Sequence, residues 1–254
     1  MWEQHLAGKE IGLEIGRSGF DPSRPSLLMV HGSGGRAAGF RPQLSLMRGA
    51  NLAAIDMPGH GATPGPGLTT VTAMADWLAD FLAAGPIRPV LLGHSLGGAV
   101  VQTLALARPE LISGLVLFGT GSRLKVLPAI IDGLEKDPDA TFELIISFAY
   151  SDEADANLKK LGVAEMKEAG PATTRADFLS CNSFDVSGRL GEIKAPTLVL
   201  VGEKDKLTPV KYAQALVNGI PGATLAVAPG GGHMLNVENP AGFNQAVAEF
   251  MAKF

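Results

Sequence analysis

Val90-Leu91-Leu92-Gly93-His94-Ser95-Leu96-Gly97-Gly98 runs from an unbroken apolar segment into a glycine-flanked serine, and Ala99 to Ala107 continue with helical character. A strand that enters a helix through so short a turn holds the serine in strained geometry. Gly93 and Gly97, two positions to either side, remove side chains that would collide there. The predicted result is a Ser95 hydroxyl projecting above a sheet. The first amides of the next helix would lie beneath it, placed to stabilise developing negative charge. The bland alternative is a glycine-rich helix start with an incidental serine. Its position between an apolar strand and a helix favours the functional reading.

Working outward, Leu27-Leu28-Met29-Val30, Leu52-Ala53-Ala54-Ile55, Leu115-Val116-Leu117-Phe118 and Leu198-Val199-Leu200-Val201 also read as strands without polar alternation. Such strands are expected where helices cover both faces of a parallel sheet. Leu225 to Ala228 is a weaker run of the same kind, and Ile11 to Ile15 is expected to pair with Trp2 to Leu6 as an N-terminal hairpin. Helical segments lie between the strands. Thr69 or Thr70 caps one whose apolar face is Val71, Met74, Leu78, Phe81 and Leu82, and Thr208-Pro209 and Asn239-Pro240 each read as an N-cap followed by proline. The alternation predicts an α/β fold with a doubly wound, mostly parallel sheet flanked by helices.

From Gly121 to about Glu192 the rhythm changes, and only helical patterns appear. Asp137-Pro138 opens a helix carrying Phe142, Ile145, Ile146, Ala149 and Tyr150 on one face. A second surrounds Leu158 and Leu161, and Pro171 opens a third. The expected organisation is a core of residues 1–120 and 191–254, with a small all-helical cap, 121–190, inserted after the sixth strand and lying over the strand ends.

Composition agrees with a compact enzyme-sized globule. The 254 residues are 46% hydrophobic and 18% charged, and the net charge is −4. No Lys/Arg stripe accompanies that negative charge, so no nucleic-acid partner is expected. The apolar runs are too short to span a bilayer, and the start lacks a signal-peptide pattern. With the single cysteine, Cys181, no intramolecular disulfide can form, and a cytoplasmic location is the expectation. Cys181 itself, near Phe178, Leu179 and Phe184, reads as a small core group.

A serine hydroxyl is a weak nucleophile and needs a base and an orienting acid. Asp205 follows the strand ending at Val201, and His233 follows the last strand within Gly230-Gly231-Gly232-His233-Met234. Strand ends of a parallel sheet converge on one edge, so these loops can bring Ser95, Asp205 and His233 together. The loop His31-Gly32-Ser33-Gly34-Gly35 lets backbone amides approach an oxyanion. The Ser33 amide (or that of Gly34) with that of Leu96 would form the hole. Gly32, Gly34, His94, Phe142, Ile145 and Ile146 are the expected substrate contacts.

With His31 to Gly35, Asp56-Met57-Pro58-Gly59-His60-Gly61, the serine turn, Pro196-Thr197-Leu198 and Gly232-His233, the chain resembles the α/β-hydrolase superfamily along nearly its whole length. The resemblance implies hydrolysis through an acyl-enzyme, with no metal and no organic cofactor. Carboxylic esters lead as substrates. Thioesters, lactones and C–C bonds of the meta-cleavage type remain alternatives, although Gly34-Gly35-Arg36 stands where the C–C hydrolases typically carry Gly-Pro-Gly.

Three rival readings differ in class. Gly32-Ser33-Gly34-Gly35-Arg36-Ala37 with Asp56 fits a dinucleotide fingerprint but leaves Ser95, Asp205 and His233 unexplained. A small-molecule receptor on a hydrolase fold would share the triad. A zinc site from His31, His60 and His94 lacks a Cys or acidic ligand set. Arg36 is expected to be an exposed loop residue.

Overall fold

The computed structural model describes Trp2 and residues 9–254. The first half of the chain runs β1 (Leu13–Ile15), β2 (Ser26–Val30), α1 (Arg41–Leu46), β3 (Asn51–Ile55), α2 (Val71–Ala83), β4 (Val90–His94), α3 (Leu96–Ala107) and β5 (Gly114–Phe118). Four helices follow: α4 (Pro128–Lys136), α5 (Pro138–Ala149), α6 (Ala156–Ala169) and α7 (Pro171–Ser183). The chain then returns to the sheet with β6 (Thr197–Gly202), α8 (Val210–Gly219), β7 (Thr224–Ala228), α9 (Leu235–Glu238) and α10 (Pro240–Met251).

The strands form one sheet in the order β1-β3-β2-β4-β5-β6-β7. All neighbours are parallel except β1, which lies antiparallel to β3 with Leu13 opposite Ile55. The order reverses between β2 and β4, so the loops after these strands splay apart and open a crevice at the carboxyl edge. That crevice lies between the His31–Gly35 loop and Ser95.

Alternate strand residues serve opposite faces. Leu28, Val30, Leu91 and Leu117 pack with Met74 and Leu78 of α2 and Val100 and Leu104 of α3. Leu27, Met29, Leu92 and Phe118 pack with Leu44 of α1 and Phe243, Val247 and Phe250 of α10. Burying each such side chain contributes about 1.5–3 kcal/mol, which explains why the strands carry no polar alternation. Helices α4 to α7 hold a separate apolar cluster of Ile130, Leu134, Phe142, Ile145, Ile146, Ala149, Tyr150 and Met166.

Three predicted helix starts stand as expected. Thr70, Asp137 and Asn239 accept the amides of Ala73, Ala140 and Gly242 at 3.1, 3.2 and 3.1 Å. The fourth does not. Helix α8 begins at Val210 with Pro209 as its N-cap residue, and the Thr208 side chain caps nothing. Residues 3–8 fall outside the described residues, and with them most of the expected hairpin partner. Ile11 to Ile15 shortens to β1, paired with β3, and the helical stretch follows the fifth of the described strands.

A tight joint lies where α3 crosses β2. A Cβ on Gly97 would lie 2.3 Å from the Val30 carbonyl oxygen, which is backbone and cannot step aside. Gly97→Ala should therefore lower unfolding free energy by at least about 2 kcal/mol in urea titrations. Gly188→Ala, with nothing within 4 Å of the new methyl, should stay within about 0.5 kcal/mol of the parent. Equal stability for the two variants would contradict this account of the joint.

Candidate active site

Ser95 sits between β4 and α3 at φ 53° and ψ −115°. Among the described residues it is the one non-glycine with positive φ. Such geometry costs about 1–3 kcal/mol and persists only where the surroundings over-determine it. Here the Ser95 amide donates to the Phe118 carbonyl at 3.0 Å, and Thr120 Oγ1 donates to the Ser95 carbonyl at 2.8 Å.

Asp205 and His233 come from the loops after β6 and β7. His233 Nδ1 lies 2.9 Å from Asp205 Oδ2, with both side chains almost wholly buried. A carboxylate only accepts, so Nδ1 carries the proton and Nε2 of the neutral ring is left with its lone pair. The same carboxylate accepts the amides of Leu207 and Thr208 at 2.9 and 2.8 Å and the Thr208 hydroxyl at 2.9 Å. Burial alone would raise the Asp205 pKa. The His233 ring and its hydrogen bond, helped by Thr208, outweigh burial and hold it at about 2.

The His233 backbone is equally constrained. Its amide and that of Met234 donate to the Ala149 carbonyl at the end of α5, at 2.8 and 3.2 Å. Its carbonyl accepts His94 Nε2 at 3.1 Å. Burial, reinforced by the neighbouring His233 ring, pushes the His94 pKa down to about 3, so His94 is a neutral donor here. Glu238 bridges the Gly232 amide (3.1 Å) and the Ser151 amide (3.0 Å), a second tie between this loop and the helical stretch.

The Ser33 and Leu96 amides have no acceptor among the described residues. Gly34 differs: its amide donates to Asp177 Oδ2 at 2.8 Å and is unavailable to an oxyanion. Two cavities meet at Ser95. One of about 90 Å³ is lined by Ser33, His233, Ile145, Ile146, Met166 and Asn236, among others. The other, of about 290 Å³, is lined by Leu124, Ile130, Phe148, Phe178, Leu207 and Tyr212, with Lys125 and Lys206 also on its wall. No hydrogen bond joins Ser95 to His233 among the described residues, and contacts of this kind commonly tighten only when substrate is bound.

The sequence profile of the alpha/beta hydrolase family matches residues 27–246. The chain belongs to that family. A protein of Variovorax paradoxus, provisionally named as the carbamate hydrolase RutD, is 32% identical over 247 residues, covering 90% of this chain and 92% of that one. The pimeloyl-[acyl-carrier protein] methyl ester esterase of Nitrosomonas europaea is 28% identical, covering 82% and 88%. The solved structure of a thermophilic esterase superposes with a TM-score of 0.86 at 36% identity, covering 96% and 93%.

In this hydrolase Gly32, Ser33, Gly34, His94, Ile145 and Ile146 border the smaller cavity. Phe142 does not. It is 2% exposed within the α4–α7 cluster, one turn away from the cavity wall. Arg36 is not a free loop residue either, because its guanidinium pairs with Glu165 and Glu168 of α6. Asp56 accepts the Ala37 and Ala62 amides at 2.6 and 2.9 Å, which makes it a loop brace rather than a ribose ligand. Asp132, a conceivable alternative acid, is exposed on α4. Cys181 is buried, and burial pushes its thiol up to about 12. Met166, Asn236 and Thr208 also line the cavities, and of these only Thr208, three residues after Asp205, carries a sequence signal, that of a helix cap.

No helix among the described residues is long and apolar enough to cross a membrane.

The depressed Asp205 pKa makes a prediction about stability. Ionised Asp205 stabilises the native state fully above its ordinary value of 3.8, and the contribution disappears as pH falls through about 2. The amount is about 2 kcal/mol. Urea midpoints of the parent should therefore fall more steeply than those of Asp205→Asn between pH 5 and pH 2.5. Parallel curves would remove Asp205 from this role.

Proposed function

We propose that this hydrolase cleaves carboxylic esters through an acyl-enzyme on Ser95, with His233 as general base and Asp205 as the acid that orients it. The observation that carries the reading is the buried Asp205–His233 pair, which fixes the tautomer while the ring borders the cavity that also holds Ser95. His233 Nε2 takes the Ser95 proton as Oγ bonds to the ester carbon. The oxyanion then sits against the Ser33 and Leu96 amides. Collapse breaks the ester C–O bond, and His233 returns the proton to the leaving alcohol. Water repeats the sequence on the acyl-enzyme, so no metal or organic cofactor enters. The lone buried Cys181 suits a cytoplasmic setting.

Helices α4 to α7 serve as the cap, since Ile145, Ile146, Met166 and Phe178 all wall the cavities. The volumes of about 90 and 290 Å³ favour esters with one short half and one longer, mainly apolar half. A second reading, carbamate hydrolysis, is favoured by the name of the Variovorax relative and would use the same residues.

On a panel varying each half of the ester, with a thioester, a lactone, a carbamate and a β-diketone included, esters with one short half should turn over fastest. Preference for the carbamate by tenfold or more would replace the ester reading with the second one. Asp205→Asn should cut turnover by about 10⁴ with little change in apparent substrate affinity, by analogy with serine proteases. Glu203 accepts the Gly230 amide at the surface, and Glu203→Gln should change little. The reverse outcome would mean that the acid has been misassigned.

A further inference from the structure

A second buried histidine–carboxylate pair lies behind the loop that carries Ser33. His60 Nε2 is 3.0 Å from Asp177 Oδ2, and the side chains are 2% and 0% exposed. His60 comes from the turn after β3 and Asp177 from α7. The same oxygen accepts the Gly34 amide. Three separate parts of the molecule therefore meet on one carboxylate oxygen.

The chemistry of the contacts sets the protonation state. His60 Nδ1 lies 3.1 Å from the Pro58 carbonyl oxygen, which can only accept, so Nδ1 carries a proton. Nε2 faces the carboxylate and carries another, so the ring is imidazolium. The groups around it agree. The His31 ring, 4.7 Å away at the end of β2, accepts the Met57 amide at Nε2 and is held neutral, its pKa pushed down to about 4 first by burial. Asp56 at the end of β3 and Asp177 on α7 both favour a positive His60. Burial opposes the charge, and the hydrogen bond to Asp177 with these two carboxylates overcomes it, so the His60 pKa is raised.

Asp177 Oδ1 has no partner among the described residues. Without a charged His60, the buried carboxylate would keep only the Gly34 amide, a costly state for a group 0% exposed. Gly34 has φ 63°, a left-handed turn that favours glycine, and its amide is committed to Asp177 of α7. Ser33, the residue before it, lines the cavity that also holds Ser95.

We propose that the His60–Asp177 ion pair is a strut between cap and core that holds the Ser33 amide in register with Leu96, making both residues positioning residues for hydrolysis. The proposal rests on the ester-hydrolase reading of Ser95. Its consequence is a pH dependence. Turnover falls on the alkaline side, at a pH higher than that at which a free imidazole deprotonates, when His60 loses its proton and Asp177 loses its charged donor.

Two variants and one spectroscopic measurement test this in the full chain. Asp177→Asn keeps an oxygen for the Gly34 amide but removes the charge, and His60→Gln keeps a neutral donor. Both should lower kcat about tenfold or more while KM changes less than about threefold, a part of the 10²–10³ lost when an oxyanion donor is deleted. Both should also abolish the alkaline limb. Nitrogen-15 NMR of the parent should find the His60 ring giving up its second proton at a higher pH than free histidine in the same buffer, and no higher than free histidine in Asp177→Asn. A His60 that titrates at or below free histidine in the parent overturns the strut without reference to activity, and so holds even if the variants fail to fold. So does full kcat with an unchanged pH profile in Asp177→Asn, provided Ser95→Ala is inactive. Ester cleavage that survives Ser95→Ala would instead sink the reading of the site itself.

Discussion

The contact between Gly97 and the Val30 and His31 carbonyls is the constraint on which the site depends. A Cβ at that position would come within 2.3 Å of one and 2.6 Å of the other, so α3 is pressed against the end of β2 as closely as backbone allows. That closeness leaves the chain between β4 and α3 one residue in which to reverse. Ser95 accepts the left-handed backbone because its amide and carbonyl are both held, by Phe118 and Thr120. It also brings the first amide of α3, Leu96, beside the loop after β2, where Ser33 lies. One steric condition thus sets a strained serine, a helix N-terminus and a facing loop in a single place.

The remaining machinery is held by the helical stretch as much as by the sheet. The His233 loop hangs from the last carbonyl of α5 and from Glu238, while the Ser33 loop is fastened to α7 through Gly34 and Asp177. Arg36, on the same loop, reaches α6. In the proposed reading, base and oxyanion hole are each tied to a different cap helix. Movements of the cap would then be felt by the chemistry and not only by the size of the cavities. The relatives named for carbamate and methyl ester hydrolysis align with this chain over most of its length.

Much of this was legible in the sequence because its causes are local. Unbroken apolar runs report a sheet buried on both faces, and glycines flanking Ser95 report a close backbone approach. Asp137 and Asn239 announce their helices through cap hydrogen bonds made within three residues. What escaped depends on partners distant in the chain. Thr208 has the sequence of a cap, but its hydroxyl donates to Asp205 and lies 3.2 Å from His233 Nδ1 across the loop. Phe142 shares a helical face with Ile145 and Ile146, yet a 3.6-residue period cannot divide a face between its own core and a cavity wall. Whether the Gly34 amide is free or committed turns on Asp177, more than 140 positions away.

The most direct test of the central claim is covalent capture of the nucleophile. The protein would be treated with a fluorophosphonate and the adduct located by peptide mass mapping while residual ester hydrolysis is followed. The account predicts one adduct per chain, on Ser95, formed in proportion to lost activity, absent in Ser95→Ala and greatly slowed in His233→Ala. An adduct on Cys181 or on another serine that tracks the loss of activity would contradict it, as would full labelling of Ser95 with hydrolysis intact.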